Sequence, residues 1–262
     1  MSPYFYASKE NFPDTERGIN FVALMVSAET EKRVTIFPAV KPRSVICDEE
    51  YIYQDLQEFE KFKDSKILVV CGGPSAKEYD WDFNDYDYVF SCNHFYKMDK
   101  LKEEEIAVYF LGNEVNINEE DFTNYFNKHK QTLIAVEELS QGEQIRLKNL
   151  VNTYSDRVFT CSSRWQAKLT GMGAKVIIFA LCLEPREVHY VGLDGITEEF
   201  STDGLVPHSF EKSKIFRKTK ENREEILEQY RFFEEHINST FIDTKIKNLG
   251  KTSKYNCFYE NI

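Results

Sequence analysis

The stretch Lys66-Ile-Leu-Val-Val-Cys-Gly-Gly-Pro-Ser-Ala-Lys-Glu-Tyr-Asp80 decides the fold class. Ile67–Cys71 is a short apolar run rich in strand-forming residues. Two glycines, a proline and a serine follow, and then helix-compatible residues. Proline suits the first helical position, where its missing N–H costs nothing. The stretch therefore predicts a buried strand, a tight turn and a helix start. Gly72 and Gly73 let a ligand approach the backbone, and Ser75 offers a hydroxyl. Free N–H groups at a helix start favour a phosphate. The spacing is neither G-x-G-x-x-G nor G-x-x-x-x-G-K-[ST], so dinucleotide and P-loop fingerprints are both absent.

Working outward, the same rhythm recurs. Strands are expected at Tyr88–Cys92, Ala107–Leu111, Thr132–Val136, Val158–Cys161, Val188–Leu193 and Thr240–Ile242. Helices are expected in "LSQGEQIRLKNLVNTY", in the glycine-punctuated "SSRWQAKLTGMGAKVIIFALCLE" and in "KENREEILEQYRFFEEHI". The last carries Ile226, Leu227, Tyr230 and Phe233 on one side. This alternation predicts an α/β fold: a mainly parallel central sheet, Rossmann-like, with helices on both faces. Residues 1–62 read as a small N-terminal extension of two strands and an amphipathic helix bearing Tyr51, Leu56, Phe59 and Phe62. Residues 63–262 read as the α/β domain.

Composition narrows the function classes. The 262-residue chain carries a formal net charge of -11. That argues against a general nucleic-acid binder, which needs a basic surface to meet phosphates. The basic stretch Lys212–Lys220 reads as a solvated loop. Six cysteines occur without C-x-x-C spacing, so free thiols in a reducing cytosol are expected. No signal peptide or spanning segment is evident. The expectation is a cytoplasmic protein; contact with the inner face of a membrane and self-association are both compatible with this composition.

In a parallel sheet, ligands bind beyond the carboxyl ends of the strands. The second strand ends in Asn93 and His94, and the third in Asn113. An Asn amide is donor and acceptor at once. "KLTGMGAK" offers Thr170 and Gly171, and "VHYVGLDG" ends a strand with Gly192 and Asp194. An irregular loop follows, carrying His208 and Ser209, and reads as a lid with a general base.

Together, the Gly-Pro-Ser turn, "CNHFY", "GLD" and "PHS" resemble bacterial glycosyltransferase family 42, the CMP-sialic acid-dependent sialyltransferases. Motility accessory factor and 6-hydroxymethylpterin diphosphokinase-like proteins share the turn. The resemblance runs from about Lys66 onward. It implies an inverting, metal-independent transfer of sialic acid or a related sugar from a CMP donor to a glycan hydroxyl. The CMP-sugar is then a co-substrate, and no cofactor is implied. Carried over, Gly72, Gly73, Pro74, Ser75, Asn93, Asn113, Thr170, Gly171, Gly192 and Asp194 bind the donor, and His208 deprotonates the acceptor. Gly72 stands where the family has Asn, and Ile196 and Thr202 replace two tyrosines.

Three other readings compete. Asp80-x-Asp82 and Asp85-x-Asp87 match a D-x-D metal site, but at the wrong end of the sheet. A diphosphokinase would use ATP and Mg²⁺ with Asp194, Glu114 and Glu137. A non-catalytic nucleotide-binding module would keep the cleft without turnover.

Overall fold

The computed structural model describes residues 4–6, 22–27, 33–37, 43–44, 46–47, 50–51, 57–112, 114–137, 150, 152–154, 157–161, 164–165, 171–194, 205–207, 209, 212–215, 230–231, 233–235 and 237–253. The N-terminal part contributes β1 (Tyr4–Tyr6), β2 (Val22–Ser27), β3 (Arg33–Phe37), β4 (Arg43–Ser44), β5 (Ile46–Cys47) and β6 (Glu50–Tyr51). The central strands are β7 (Lys66–Val70), β8 (Tyr88–Cys92), β9 (Val108–Leu111), β10 (Leu133–Glu137) and β11 (Val158–Cys161). After β12 (Arg164–Trp165) come β13 (Glu187–Val191), β14 (Leu205–Pro207), β15 (Lys212–Ile215) and β16 (Lys245–Asn248). The α-helices are α1 (Ser75–Glu78), α2 (Glu120–Lys128) and α3 (Gly171–Cys182).

The central sheet has eight strands in the order β16-β13-β7-β8-β9-β10-β11-β4. All neighbours run parallel except β4, which pairs antiparallel with β11 through Ser44↔Phe159 and Arg43↔Thr160. The fold is α/β and Rossmann-like, as the alternation of strands and helices predicts. Chain order moves from β7 through β8, β9 and β10 to β11, then returns to place β13 on the other side of β7. The junction of β7 and β13 is therefore the topological switch point, where open α/β sheets leave a crevice.

Strand side chains alternate between two cores. Ile67 and Val69 join one cluster with Phe179, Tyr230 and Phe233, while Leu68 and Val70 join another with Phe122, Tyr125 and Phe126. Both faces are covered, so these strands are apolar throughout rather than alternating. Phe62 meets Tyr88 and Phe90 edge-on, with ring centroids 4.7 and 5.0 Å away. Each such aromatic pair adds about 1 kcal/mol beyond its burial.

Some details differ from the sequence reading. Thr240–Ile242 is not a strand: residues 237–240 are helical, and Ile242 is 78% exposed. The outer strand is instead β16, where only Ile246 of four residues is apolar. An edge strand with one protected face carries a weaker signal. Within the expected N-terminal helix, Glu50–Tyr51 is a strand and Gln57–Phe62 is a 3-10 helix. The extension is also fastened to the rest of the chain: β4 edges the central sheet, β12 joins the sheet β1-β2-β3-β12, and Phe59 and Phe62 are in the core. The basic loop is partly a strand, because Lys212–Ile215 is β15. Among the described residues, no helix is long and apolar enough to cross a membrane.

Candidate functional site

The turn after β7 and the turn after β13 meet at the switch point. Cys71 N–H continues the parallel ladder to Val191 O at 2.8 Å, and Gly73 N–H donates to Gly192 O at 2.8 Å. Gly192 adopts φ +78 and its N–H donates to Ser75 Oγ at 2.9 Å. Ser75 N–H donates to Asp194 Oδ2 at 2.8 Å. Residues 119 apart in sequence are thus laced together by backbone and side-chain bonds.

This lacing explains Gly73 differently from close approach to a ligand. A Cβ on Gly73 would stand 2.6 Å from Gly192 O and 2.9 Å from Asp194 Cγ. It also changes the expected anion site. α1 is a single four-residue turn, and its first N–H is already held by a carboxylate. The N–H groups of Gly73 and Ser75 are both occupied within the protein. Pro74 opens the short helix with φ -58, within its fixed range.

Asp194 is the buried charge of this corner, 4% exposed. Burial pushes its carboxyl from 3.8 up to about 6, against the opposing bonds from Ser75. Its Oδ1 is buried without a hydrogen-bond partner. Because the folded-state value lies above the unfolded one, the folded protein holds this proton more tightly. Stability from this group is greatest below about pH 4 and is lost as pH rises to about 6, by about 3 kcal/mol. Asp194→Asn keeps an oxygen for Ser75 N–H and removes the charge. The unfolding free energy of the variant relative to wild type should therefore rise by about 2 kcal/mol between pH 4 and pH 7. Urea titrations at both pH values check this; a pH-independent difference between the two proteins contradicts it.

Two further segments close on the turn. Ser209 N–H donates to Gly72 O at 3.0 Å, with its hydroxyl 3.4 Å from the same oxygen. The segment expected to be irregular is in part a hairpin of β14 and β15, with a register shift at Val206/Pro207. Ser209 lies in its connection. At the other side, a Cβ on Gly250 would meet Ser75 Cβ at 3.0 Å and Asp194 Oδ1 at 3.3 Å. Ser253 Oγ donates to Glu78 Oε2. Neither tie was legible from local pattern, although "NLGKTSKYNCF" reads in sequence as a turn holding the chain end.

Next to this corner, Asn93 ends β8 with φ +52, a conformation Asn tolerates better than most residues. Its N–H donates to Phe110 O at 3.1 Å, and its Nδ2 donates to Glu114 Oε1 at 2.9 Å. Gly72–Ser75, Asn93, Gly192 and Asp194 all lie at the carboxyl ends of β7, β8 and β13. Gly171 starts α3 with φ +66 and is exposed. Asn113, Thr170 and His208 lie outside the described residues, as do Ile196 and Thr202.

The remaining candidates are engaged elsewhere. Asp82 caps its own turn through Asn84 N–H at 2.8 Å, and Asp87 Oδ2 accepts from Lys66 N–H at 2.7 Å and Arg186 at 3.0 Å. Asp80, Asp82 and Asp87 flank a 3-10 turn between α1 and β8 that ends at Asp85, at the amino end of the sheet. Among the described residues, no group of three or more His, Cys, Asp or Glu is arranged to hold a metal ion. His189 sits between Tyr86 Oη at 2.8 Å and Glu187 Oε1 at 2.6 Å, and burial lowers its pKa. Glu187 accepts from Nε2–H, so Tyr86 donates to Nδ1 of the neutral ring.

Solved structures similar to this chain include two sialyltransferases. One is the Campylobacter jejuni sialyltransferase CstII in complex with a substrate analogue, cytidine-5'-monophosphate. It is 19% identical, with a TM-score of 0.45, over 73% of this chain and 82% of that one. The other is the monofunctional alpha-2,3-sialyltransferase Cst-I from the same organism. It is 18% identical, with a TM-score of 0.47, over 71% of this chain and 76% of that one. No protein-family model and no curated protein sequence matches the chain.

Proposed function

We propose that the protein is an inverting glycosyltransferase of sialyltransferase type. It moves sialic acid or a related sugar from a CMP donor to a glycan hydroxyl without a metal. The observation that carries this reading is the bond from Ser209 to Gly72. It ties the "PHS" segment to the Gly-Gly-Pro-Ser turn, so the neighbour of the candidate base is anchored at the candidate donor crevice. These are two of the motifs on which the family resemblance rests, and they are 137 residues apart in sequence.

The chemistry is consistent with the residues. In an inverting transfer, His208 takes the acceptor proton while the hydroxyl attacks the anomeric carbon and CMP leaves. A single departing phosphate needs fewer positive charges than a diphosphate, so hydroxyl and amide donors serve in place of a divalent ion. Asn113 and Thr170 are the donors assigned to that role, with Gly171 beside them, and Asn93 lies at the donor's ribose. Gly72–Ser75, Gly192 and Asp194 form the wall against which the nucleotide lies.

Titration calorimetry with CMP, UDP, GDP and ATP, each with and without Mn²⁺ or Mg²⁺, tests the reading. CMP-selective binding that needs no metal is the expected result. Binding only of ATP or a nucleoside diphosphate, and only with metal, overturns it in favour of a diphosphokinase or a metal-dependent transferase.

A further inference from the structure

Asn93 and Glu114 form an exposed hydrogen-bonded pair across the carboxyl ends of β8 and β9. An ionised carboxylate only accepts hydrogen bonds, so the Asn93 amide must turn its Nδ2 toward Glu114. Its Oδ1 is then forced inward, where it is buried without a hydrogen-bond partner. Gly112 makes room for it: a Cβ there would stand 3.1 Å from Asn93 Cγ and closer still to Oδ1. The left-handed backbone of Asn93 and the missing side chain at Gly112 thus hold one amide orientation. What this edge offers a ligand is an amide N–H beside a carboxylate.

That combination suits neighbouring hydroxyls. A hydroxyl donates to the carboxylate and a second accepts from the amide, whereas a phosphate or sugar carboxylate meets charge repulsion from Glu114. Asn93 also stands 20 residues after Gly73, at the end of the strand that follows the glycine turn. In dinucleotide-binding sheets an acidic residue at about that distance binds the ribose hydroxyls. Here an amide occupies the position, and the acid comes from the next strand. We infer that Asn93 and Glu114 read the ribose 2',3'-diol of a nucleotide, with Glu114 as the residue that sets preference for a diol over an anion. The inference rests on the crevice taking a nucleotide, and not on that nucleotide being CMP.

The test is calorimetric binding of CMP, UDP, GDP and ATP, each against its 2',3'-dideoxy form, to wild type, Glu114→Gln and Gly112→Ala. Glu114 is exposed, so its replacement leaves the fold intact; thermal melts verify this for both variants. Wild type is expected to prefer the ribonucleotide it binds by about tenfold or more, the value of a hydrogen bond to a charged group. Glu114→Gln should reduce that preference to near unity without weakening the dideoxy form. Gly112→Ala should do the same by displacing the Asn93 amide. Retention of the full preference in Glu114→Gln overturns the inference, as does equal binding of both forms by wild type or binding of no ribonucleotide. If CMP is silent while another ribonucleotide shows the diol preference and its loss in Glu114→Gln, the inference holds and the CMP-donor reading fails.

Discussion

Replacing Gly192 with alanine is expected to leave little folded protein. Its φ of +78 already costs a side-chain-bearing residue about 1–2 kcal/mol. The new Cβ would stand 2.8 Å from Cys71 C, closer to Cys71 O, and 3.1 Å from Ala76 Cβ. Two of these three atoms are backbone, so no rotamer relieves the clash. Gly192 cannot retreat either, because its O accepts from Gly73 N–H and its N–H donates to Ser75 Oγ. Strain, overpacking and two weakened buried bonds sum to about 4–6 kcal/mol. That approaches the whole stability of a typical domain. Gly171→Ala is the control: φ is +66, but nothing lies within 4 Å of the added Cβ, so only the conformational cost of about 1 kcal/mol remains. Soluble yield and urea midpoints separate the two. A Gly192→Ala midpoint close to that of Gly171→Ala would show that the corner is far softer than its hydrogen bonds imply.

The largest effect on turnover is expected at His208. If it is the base of the proposed transfer, His208→Ala lowers kcat by roughly 10²–10⁴-fold while donor affinity stays within a factor of about two. The split arises because a base acts on the acceptor hydroxyl in the transition state, not on the bound nucleotide. Donor-turnover kinetics, with calorimetry of the donor on both proteins, make the measurement. An unchanged kcat in the variant would remove the histidine from the mechanism and leave the crevice as a binding site.

How much of this was legible in the sequence follows from where each signal comes from. Strands such as Lys66–Val70 and Tyr88–Cys92 are buried on both faces and announce themselves as apolar runs. Lys245–Asn248 has no such run, and Arg43–Ser44 is two residues long, so neither leaves a pattern. The glycines and Asp194 stand out as site candidates for their types and positions. Their partners do not, because Gly73 to Gly192 and Ser75 to Asp194 are tertiary contacts that no local window contains. For the same reason Gly112 and Glu114 carry no signal as companions of Asn93. Their geometry emerges only once β8 and β9 lie side by side.

The closing of Gly250 and Ser253 on the Ser75 turn has a consequence for the growing chain on the ribosome. Glu78 and its partner Ser253 are 175 residues apart. At ordinary translation speeds, roughly 10–30 seconds separate the synthesis of the two ends of this contact. Throughout that interval the first strand–turn–helix unit lacks the segment that covers Ser75 and Asp194. The crevice is therefore completed last, after the sheet that supports it, and a nascent chain arrested before residue 250 would carry the strands without a finished site.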